Sequence, residues 1–330
     1  EIGVRLVGSE MCIRDRDISI LKDLGYDVLL SNRIFDSLLF WKYDILFSYF
    51  YRYSFFAALL AKCFGKKTYF TGGIDSLDSD YASAFNYKIQ ALFFKLCYWV
   101  ADSCIIVSQS DLKNIFKVSS LKKKLSYSEH VINTKLFIAD VPKEKIFTSI
   151  VWMGDEGNVV RKGVDKALQI FAELKKIPEF VDYRFVIIGR KGEGEVLVRS
   201  IIDKYNLKGS VELKGEVSEE DKINLLKQSK YYFQLSLYEG FGLAALEALC
   251  ANNIIIHSGK GGLANPIYKE QLLFDIDNDF DSELLKLVNK LACFTPITSY
   301  DNLLEYYDIQ RRKDDFEAII VNGKSNYKLK

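Results

Sequence analysis

The sequence lacks a charge imbalance and is poor in histidine. Its 45 Lys and Arg residues nearly cancel its 44 Asp and Glu residues, and a net charge of +1 gives no electrostatic basis for binding nucleic acid. Two histidines in 330 residues exclude a histidine-rich metal site. Repeats and low-complexity tracts are also lacking. What remains is a chain with 49% apolar residues, long enough for two domains of ordinary size.

Cysteine pairs with metal-binding or redox spacing are lacking as well. The sequence has six cysteines, and none of them forms a C-x-x-C motif. One is Cys12, and the other five are Cys63, Cys97, Cys104, Cys250 and Cys293. Most of these lie in apolar runs, which predicts reduced core residues of a cytoplasmic protein rather than a disulfide framework or a zinc site.

No apolar run is long enough to cross a membrane. The longest, residues 91–107, is interrupted by Lys95 and Asp102, and its pieces are shorter than the ~20 residues that a span requires. We interpret it as a helix end followed by a buried strand. The segment 33–64 is rich in aromatic residues, and we interpret it as core. The alternative is a face that rests on a bilayer, placing the protein peripherally on the cytoplasmic side of the membrane.

The first 16 residues resemble a translated sequencing adapter. The transposase-end sequence used in library preparation encodes Glu-Met-Cys-Ile-Arg-Asp, which occurs here within residues 6–16. Such segments are excluded from fold reasoning. We therefore expect the native sequence to begin near Asp17 and the first domain to lack its first strand and the turn after it.

The most informative stretch lies in the second half of the chain. An apolar run that predicts a buried strand is followed by a glycine-bearing turn, a helix and another strand, as in a parallel α/β unit. Glu239 lies in the turn and Glu247 lies in the helix. Gly240 and Gly242 allow backbone amides to approach a ligand closely, and the helix N-terminus favours phosphate. Carboxylates accept hydrogen bonds from sugar hydroxyls, so the pattern indicates a nucleotide-sugar pocket. The alternative is a solvated turn with a surface glutamate.

The string from Glu239 to Leu243, together with Glu247, resembles the paired-glutamate motif of the family 4 glycosyltransferases, which are retaining enzymes of the GT-B fold. Residues 153–165, 184–189 and 211–221 resemble further segments of that family, in the same order. The resemblance covers about residues 147–275. It implies an α/β fold in which two Rossmann-like domains face each other across a cleft, and a C-terminal helix crosses back to the N-terminal domain.

We predict four segments along the chain, the first from the adapter likeness and the other three from the glycosyltransferase resemblance. They are the adapter (1–16), an acceptor-side domain (17–142), a nucleotide-sugar donor domain (143–305) and a crossover helix with its tail (306–330). We place the linker in the polar stretch 140–145, and we predict a strand at 149–153.

The resemblance also implies an activity. We expect transfer of a hexose-type sugar, with retention, from a nucleotide-sugar (UDP-sugar favoured) to a glycan or lipid-linked acceptor in surface polysaccharide or lipopolysaccharide synthesis. The alternative is a non-catalytic nucleotide-sugar-binding subunit or degenerate transferase. Two departures favour this alternative: Asp155 stands where the family places Arg, and Gly72 stands where it places His.

The predicted site residues fall into three groups. Glu239 and Lys162 are the catalytic candidates, because Lys162 suits a diphosphate and Glu239 can orient the sugar. The donor-binding candidates are Glu247, Gly240, Phe241, Gly242, Leu243, Arg161, Gly189 and Arg190. The acceptor-side candidates are Asp75 and Ser108. Lys162 and Arg190 have alternative interpretations as solvated loop residues, and His130 and His257 are interpreted as structural. No metal and no cofactor are expected, because protein cations and the helix dipole can neutralise the negative charge of the donor diphosphate.

Overall fold

The computed structural model describes residues 3–7, 12–31, 39–72, 74–119, 122–138, 141–294 and 301–323, with side chains from residue 15 onward except those of residues 301 and 302. The chain forms two compact units. The first unit comprises residues 1–132 and 306–330, and the second comprises residues 133–305. The sequence placed the first boundary at 142/143, ten residues later.

The first unit alternates strands and helices. Its strands are β1 (Gly3–Val7), β2 (Asp27–Ser31), β3 (Ile45–Tyr49), β4 (Lys67–Thr71), β5 (Ser103–Ile106) and β6 (Leu125–Tyr127). Its helices before the boundary are α1 (Cys12–Asp23), α2 (Tyr51–Cys63), α3 (Ala84–Val100) and α4 (Gln109–Val118). The six strands form a parallel sheet in the order β2-β1-β3-β4-β5-β6.

The structure differs from the expectation of a missing first strand. Residues 3–7 form β1, which pairs with β2 on one side and β3 on the other. The sequence Gly-Val-Arg-Leu-Val is rich in β-branched and apolar residues, so it suits a central strand whatever its origin. The adapter origin of the segment stays a prediction.

The C-terminal segment belongs to the first unit, as the predicted crossover helix requires. Helix α12 (Ile309–Phe316) continues into one π-helical turn, Glu317–Val321. Phe316, Ile319 and Ile320 are buried in one apolar cluster with Phe47 of β3. The chain therefore returns to complete the core of its N-terminal unit.

The second unit has the same architecture. Its strands are β7 (Glu144–Ile150), β8 (Arg184–Ile188), β9 (Val211–Gly215), β10 (Ser229–Gln234), β11 (Ile254–His257) and β12 (Leu272–Leu273). Its helices are α5 (Glu156–Arg161), α6 (Val164–Leu174), α7 (Glu195–Lys204), α8 (Glu219–Gln228), α9 (Leu243–Cys250) and α10 (Phe280–Cys293), and α11 (Asp301–Tyr306) leads back toward the first unit along the chain. The parallel sheet has the order β12-β11-β10-β7-β8-β9.

An aromatic cluster centred on Phe147 forms the core of the second unit. The Phe147 ring stacks on Tyr231 at 4.6 Å and on Phe233 at 5.1 Å, and it meets Phe171 edge-on at 5.5 Å. Because side chains alternate along a strand, the residues of β10 between these aromatic side chains lie on the opposite face, toward α8 and α9. The catalytic candidates depend on that second face.

Several elements differ from the predictions. Strand β7 occupies 144–150 rather than 149–153, because its first two residues are polar and exposed and hide the start of the strand from an apolar pattern. Helix α5 was not predicted. Cys63 and Cys293 are exposed at the last positions of α2 and α10, so the core prediction is wrong for these two, whereas Cys97, Cys104 and Cys250 are buried.

Among the residues that the structure describes, no helix is both long enough and apolar enough to cross a bilayer.

Candidate functional site

The two predicted catalytic residues meet directly. The Lys162 ammonium lies 2.8 Å from Oε2 and 3.0 Å from Oε1 of Glu239. Their side chains are 21% and 16% exposed, so the pair is only partly screened by water. Because 76 residues separate them in the sequence, their meeting is a result of the fold.

A close backbone approach places Lys162. Gly163 has a positive φ of 70° and begins α6. A Cβ at that position would lie 2.0 Å from the carbonyl oxygen of Leu235, so only glycine fits. The Leu237 amide donates to the Arg161 carbonyl at 2.8 Å, which ties the two loops together. Lys162 is thereby held beside the end of β10.

A buried polar row supports Glu239 from β10 and the turn after it. Ser236 donates to Glu239 Oε2 at 3.0 Å, and the Gln234 amide donates to the same oxygen at 3.3 Å. Tyr232 donates to Gln234 at 3.1 Å and accepts from the Ile150 amide at 3.3 Å. Burial raises the pKa of Tyr232, and the nearby charges of Glu247 and Glu239 raise it further, so the phenol stays neutral.

Sequence reasoning missed this row, although it leaves a signal. Residues 232, 234 and 236 are polar and recur at every second position of an otherwise apolar run, which is the period of one strand face. The alternate residues Tyr231, Phe233 and Leu235 face the apolar core.

The glycine pair after β11 braces the Glu239 turn. The Gly262 amide donates to the Glu239 carbonyl at 2.5 Å. A Cβ on Gly261 would lie 2.3 Å from that same carbonyl oxygen, and one on Gly262 would lie 2.5 Å from the Phe241 Cα. In the same loop, Asn265 accepts from the Ile267 amide at 3.1 Å and caps a short helix.

The predicted helix N-terminus forms as expected from the sequence. Gly242 has a positive φ of 88° and precedes Leu243, the first residue of α9. Phe241 is buried, while Gly240 is half-buried beside Glu239. The first amides of α9 thus begin four residues after Glu239, in the position that the motif predicts for an anion.

Glu247 lies inside α9, 4% exposed, and is paired with a residue that the sequence analysis did not single out. The Lys222 ammonium of α8 donates to Glu247 Oε2 at 2.9 Å and lies 2.8 Å from Oε1 of Glu219. Burial alone lowers the pKa of Lys222, but the Glu247 and Glu219 carboxylates outweigh it, so the pKa lies above its usual value. No local pattern could reveal this pair, because its members lie on different helices.

The other donor-side candidates are not brought onto Glu239. Arg161 donates to the Asn158 side-chain oxygen at 2.6 Å, within α5. Asp155 caps that helix by accepting from the Asn158 amide at 2.6 Å. Gly189 has a φ of 131°, and a Cβ there would lie 2.0 Å from the Val151 carbonyl oxygen. Arg190 follows it, exposed. The donor-binding roles of these residues stay predictions.

The acceptor-side candidates lie in the first unit, after neighbouring parallel strands. Asp75 begins a short 3-10 helix after β4. Ser108 follows β5, is 2% exposed and accepts from the Asp111 amide at 3.1 Å as the N-cap of α4. A capping role therefore accounts for Ser108. Both histidines are buried, and burial lowers the pKa of His257 to about 4.

Taken together, the second unit combines a cation–carboxylate pair, a second buried glutamate and a glycine-started helix. A ligand can separate the pair, because the Lys162 ammonium can bind a phosphate of the ligand while the Glu239 carboxylate accepts hydrogen bonds from its hydroxyls. That arrangement suits a ligand that carries both a phosphate and a sugar.

Comparison with known proteins supports the resemblance. Residues 157–291 match the family model for glycosyl transferases group 1, and these residues include Lys162, Glu239 and Glu247. The resemblance inferred from the motifs is confirmed over this part of the second unit, which is similar to group 1 glycosyltransferases, and the chain has the GT-B fold. Membership of family 4 in particular stays a prediction.

Two curated relatives and one solved structure illustrate the likeness. A GDP-mannose:cellobiosyl-diphosphopolyprenol alpha-mannosyltransferase of Xanthomonas oryzae is 32% identical over 163 residues, covering 43% of this chain and 40% of that protein. One subunit of the human phosphatidylinositol N-acetylglucosaminyltransferase is 30% identical over 105 residues, covering 32% of this chain and 21% of its own length. The chain thus spans well under half of these relatives.

The solved structure shares the fold. HepE from Anabaena, determined in complex with UDP, has a TM-score of 0.72 and 12% identity, with 98% of this chain and all of the other covered. At that identity the likeness shows the fold alone.

Proposed function

We propose that this protein is a glycosyltransferase that moves a hexose-type sugar from a nucleotide-sugar to an acceptor. The observation that carries the proposal is the Lys162–Glu239 pair beside the N-terminus of α9. On donor binding, Lys162 moves to the diphosphate and Glu239 accepts from sugar hydroxyls. Lys162 and the α9 amides then stabilise the charge that develops on the leaving diphosphate. Glu247 accepts hydrogen bonds from the ribose hydroxyls of the nucleotide.

We propose a UDP-sugar as donor and retention at the anomeric carbon. A structural neighbour was solved with UDP, which supports the nucleotide, and the motif resemblance supports retention. A relative named for GDP-mannose makes GDP the second choice. We also propose that catalysis needs neither a metal nor a cofactor, because Lys162 supplies the positive charge for the diphosphate.

We propose a lipid-linked or glycan acceptor of the kind used in surface polysaccharide or lipopolysaccharide synthesis. One relative is named for a diphosphopolyprenol-linked sugar and another for phosphatidylinositol. A lipid-linked acceptor places the protein at the cytoplasmic face of a membrane.

Helices α2 and α3 supply the surface that such a location requires. Phe85, Leu92 and Trp99 recur every seventh residue of α3 and are 71%, 55% and 70% exposed. Lys88 and Lys95 are exposed between them, and neither α2 nor α3 contains an acidic residue. Exposed aromatic and basic side chains without acids suit an anionic bilayer surface. Segment 33–64 includes α2, where Phe55 is buried while Tyr53 and Phe56 are 71% and 60% exposed, so we propose that one face of α2 is core and the other meets the membrane. Residues 33–38 lie outside the described residues.

Replacing Phe85 and Trp99 together by glutamine is expected to abolish binding to vesicles of phosphatidylcholine and phosphatidylglycerol, because the two rings supply much of the buried apolar area. Co-sedimentation measures it. The control is the double replacement of Val196 and Leu285, which are 70% and 64% exposed in the second unit. Equal loss in both variants, or none in the first, would contradict the assignment.

The donor assignment is tested by thermal stabilisation. UDP, at about 100 times its dissociation constant, is expected to stabilise the protein by ~2.7 kcal/mol. Glu247→Gln is expected to abolish most of this shift, since a neutral amide is a weaker acceptor for two ribose hydroxyls.

The matched control is Glu283→Gln. Glu283 is also a buried glutamate, 5% exposed and 2.7 Å from Lys286, but it lies on α10. Stabilisation by GDP instead of UDP would change the donor. Stabilisation without any turnover of UDP-sugars would favour the non-catalytic binding subunit, and no stabilisation by UDP, GDP or ADP would overturn the proposed function.

A further inference from the structure

Lys222 connects the donor site to α8, a helix that carries none of the predicted site residues. It lies on α8, and its ammonium donates to Glu247 Oε2 at 2.9 Å. The two side chains are 14% and 6% exposed. We propose that Lys222 is a positioning residue that holds the Glu247 carboxylate in the orientation required by the donor's ribose. This inference rests on the proposed function, because it assigns a partner to a residue of the same site.

Placing the Lys222 ammonium at this position of α8 costs desolvation free energy, which a role for the charge in the site would explain. Leu225 and Leu226, three and four residues later, are buried on the same face of the helix. An apolar residue at 222 would pack there without the desolvation of an ammonium, and replacing buried ion pairs by apolar groups is often neutral or stabilising. Stability alone therefore gives no reason for a lysine at this position.

The packing of α8 against α9 is also held elsewhere. The Lys143 ammonium lies 2.8 Å from the Lys227 carbonyl at the end of α8 and 2.5 Å from the Ala251 carbonyl after α9. It thereby bridges the C-terminal ends of the same two helices without contacting Glu247. Lys143 provides a matched control, since it is a half-buried lysine with a purely structural role.

The hydrogen bond to Lys222 restricts the Glu247 side chain. A glutamate has several rotamers, and an unpaired carboxylate would sample them before binding. Lys222 removes that freedom, and a second carboxylate, Glu219 at 2.8 Å, restrains Lys222 itself. A donor ribose then meets an acceptor that is already oriented, which improves affinity by preorganisation.

The proposal is tested by calorimetric titration of UDP, with GDP and ADP in parallel, into the full chain. Lys222→Met is expected to raise the dissociation constant about tenfold, and Lys222→Arg is expected to restore part of the affinity. Lys143→Met is expected to lower the melting temperature and leave nucleotide affinity within about twofold of the wild type. Lys222→Gln serves as the neutral variant if Lys222→Met does not fold.

The decisive measurement is a double-mutant cycle. If Lys222 acts through Glu247, Lys222→Met weakens binding in the wild-type background and not in the Glu247→Gln background. Equal weakening in both backgrounds, or nucleotide affinity unchanged by Lys222→Met and Lys222→Gln, would overturn the positioning role while leaving the proposed function intact. A wild-type protein that binds none of the three nucleotides would overturn the proposed function and, with it, this inference.

Discussion

Lys162→Met is expected to lower the turnover number for donor cleavage by about 10²–10³-fold, the typical effect of removing one charge-stabilising donor from an active site. Methionine keeps the unbranched apolar stem and removes only the ammonium. In the structure that ammonium lies 2.8 Å from Glu239, beside the loop that begins α9. If Lys162 binds the diphosphate as proposed, the leaving group in this variant retains the α9 amides and loses the ammonium.

The loss should not come from unfolding. The Lys162–Glu239 pair keeps contact with water, at 21% and 16% exposure, so the variant does not leave Glu239 fully buried without a counterion. Glu239 also keeps its hydrogen bonds from Ser236 and Gln234 in the variant. A melting temperature near that of the wild type, together with the fall in turnover, would separate catalysis from folding.

Initial rates with UDP-glucose measure the effect, with hydrolysis read in the absence of an acceptor. Lys166→Met is the matched control, because Lys166 lies on α6 close in sequence and is not part of the site. Full turnover in Lys162→Met would refute its role. If Arg161→Met lost turnover instead, the guanidinium that now bonds to Asn158 would be the diphosphate ligand.

Local patterns predicted the helices and the motif well. The sequence predicts helices at 84–100, 164–174 and 219–228, and α3, α6 and α8 have these bounds. Two of the three begin at serine caps, Ser83 and Ser218, which mark their first turns in the sequence. The GT-B fold and the resemblance to glycosyltransferases are confirmed. The sequence could predict them because strand, turn and helix signals occur in a fixed order around Glu239. These features depend on residues close together in the sequence.

The remaining features depend on contacts between distant residues. The partner of Glu247 lies on another helix, and the glycines that brace Glu239 come from the loop after β11. Asp155 shows the limit of motif comparison. Its substitution for Arg favours the degenerate-transferase alternative in the sequence, whereas the structure shows that Asp155 caps α5, a helix that the sequence did not predict.

Arg312→Met is expected to destabilise the first unit by about 3–5 kcal/mol, because it leaves the Asp17 carboxylate buried without its counterion. Both side chains are 1% exposed, and the guanidinium donates to the two carboxylate oxygens at 2.7 and 2.8 Å. Arg312 also donates to the Ser128 carbonyl at 2.6 Å. Burial alone lowers the pKa of Arg312, but Asp17 outweighs it, so the guanidinium stays charged.

Hydrogen exchange measured separately in the two units checks this expectation. Protection should fall in β3 to β5 of the first unit and stay unchanged around β7 to β10 of the second. Gln310→Met is the control, because Gln310 is exposed on the same helix and its side chain donates to Asp314 at 2.7 Å. Uniform loss of protection in both units would contradict the division of the chain.

The double variant Arg312→Met with Asp17→Leu distinguishes the cost of a stranded charge from the value of the pair. Replacing both members of a buried ion pair by apolar residues is often neutral, whereas breaking it on one side is not. We therefore expect the double variant to recover much of the lost stability. Asp17 accepts a further hydrogen bond from Tyr49 at 2.6 Å, so recovery should stay incomplete until that hydroxyl is removed as well. A double variant no more stable than Arg312→Met would show that the guanidinium's bond to the Ser128 carbonyl, rather than its charge pairing, anchors the returning helix.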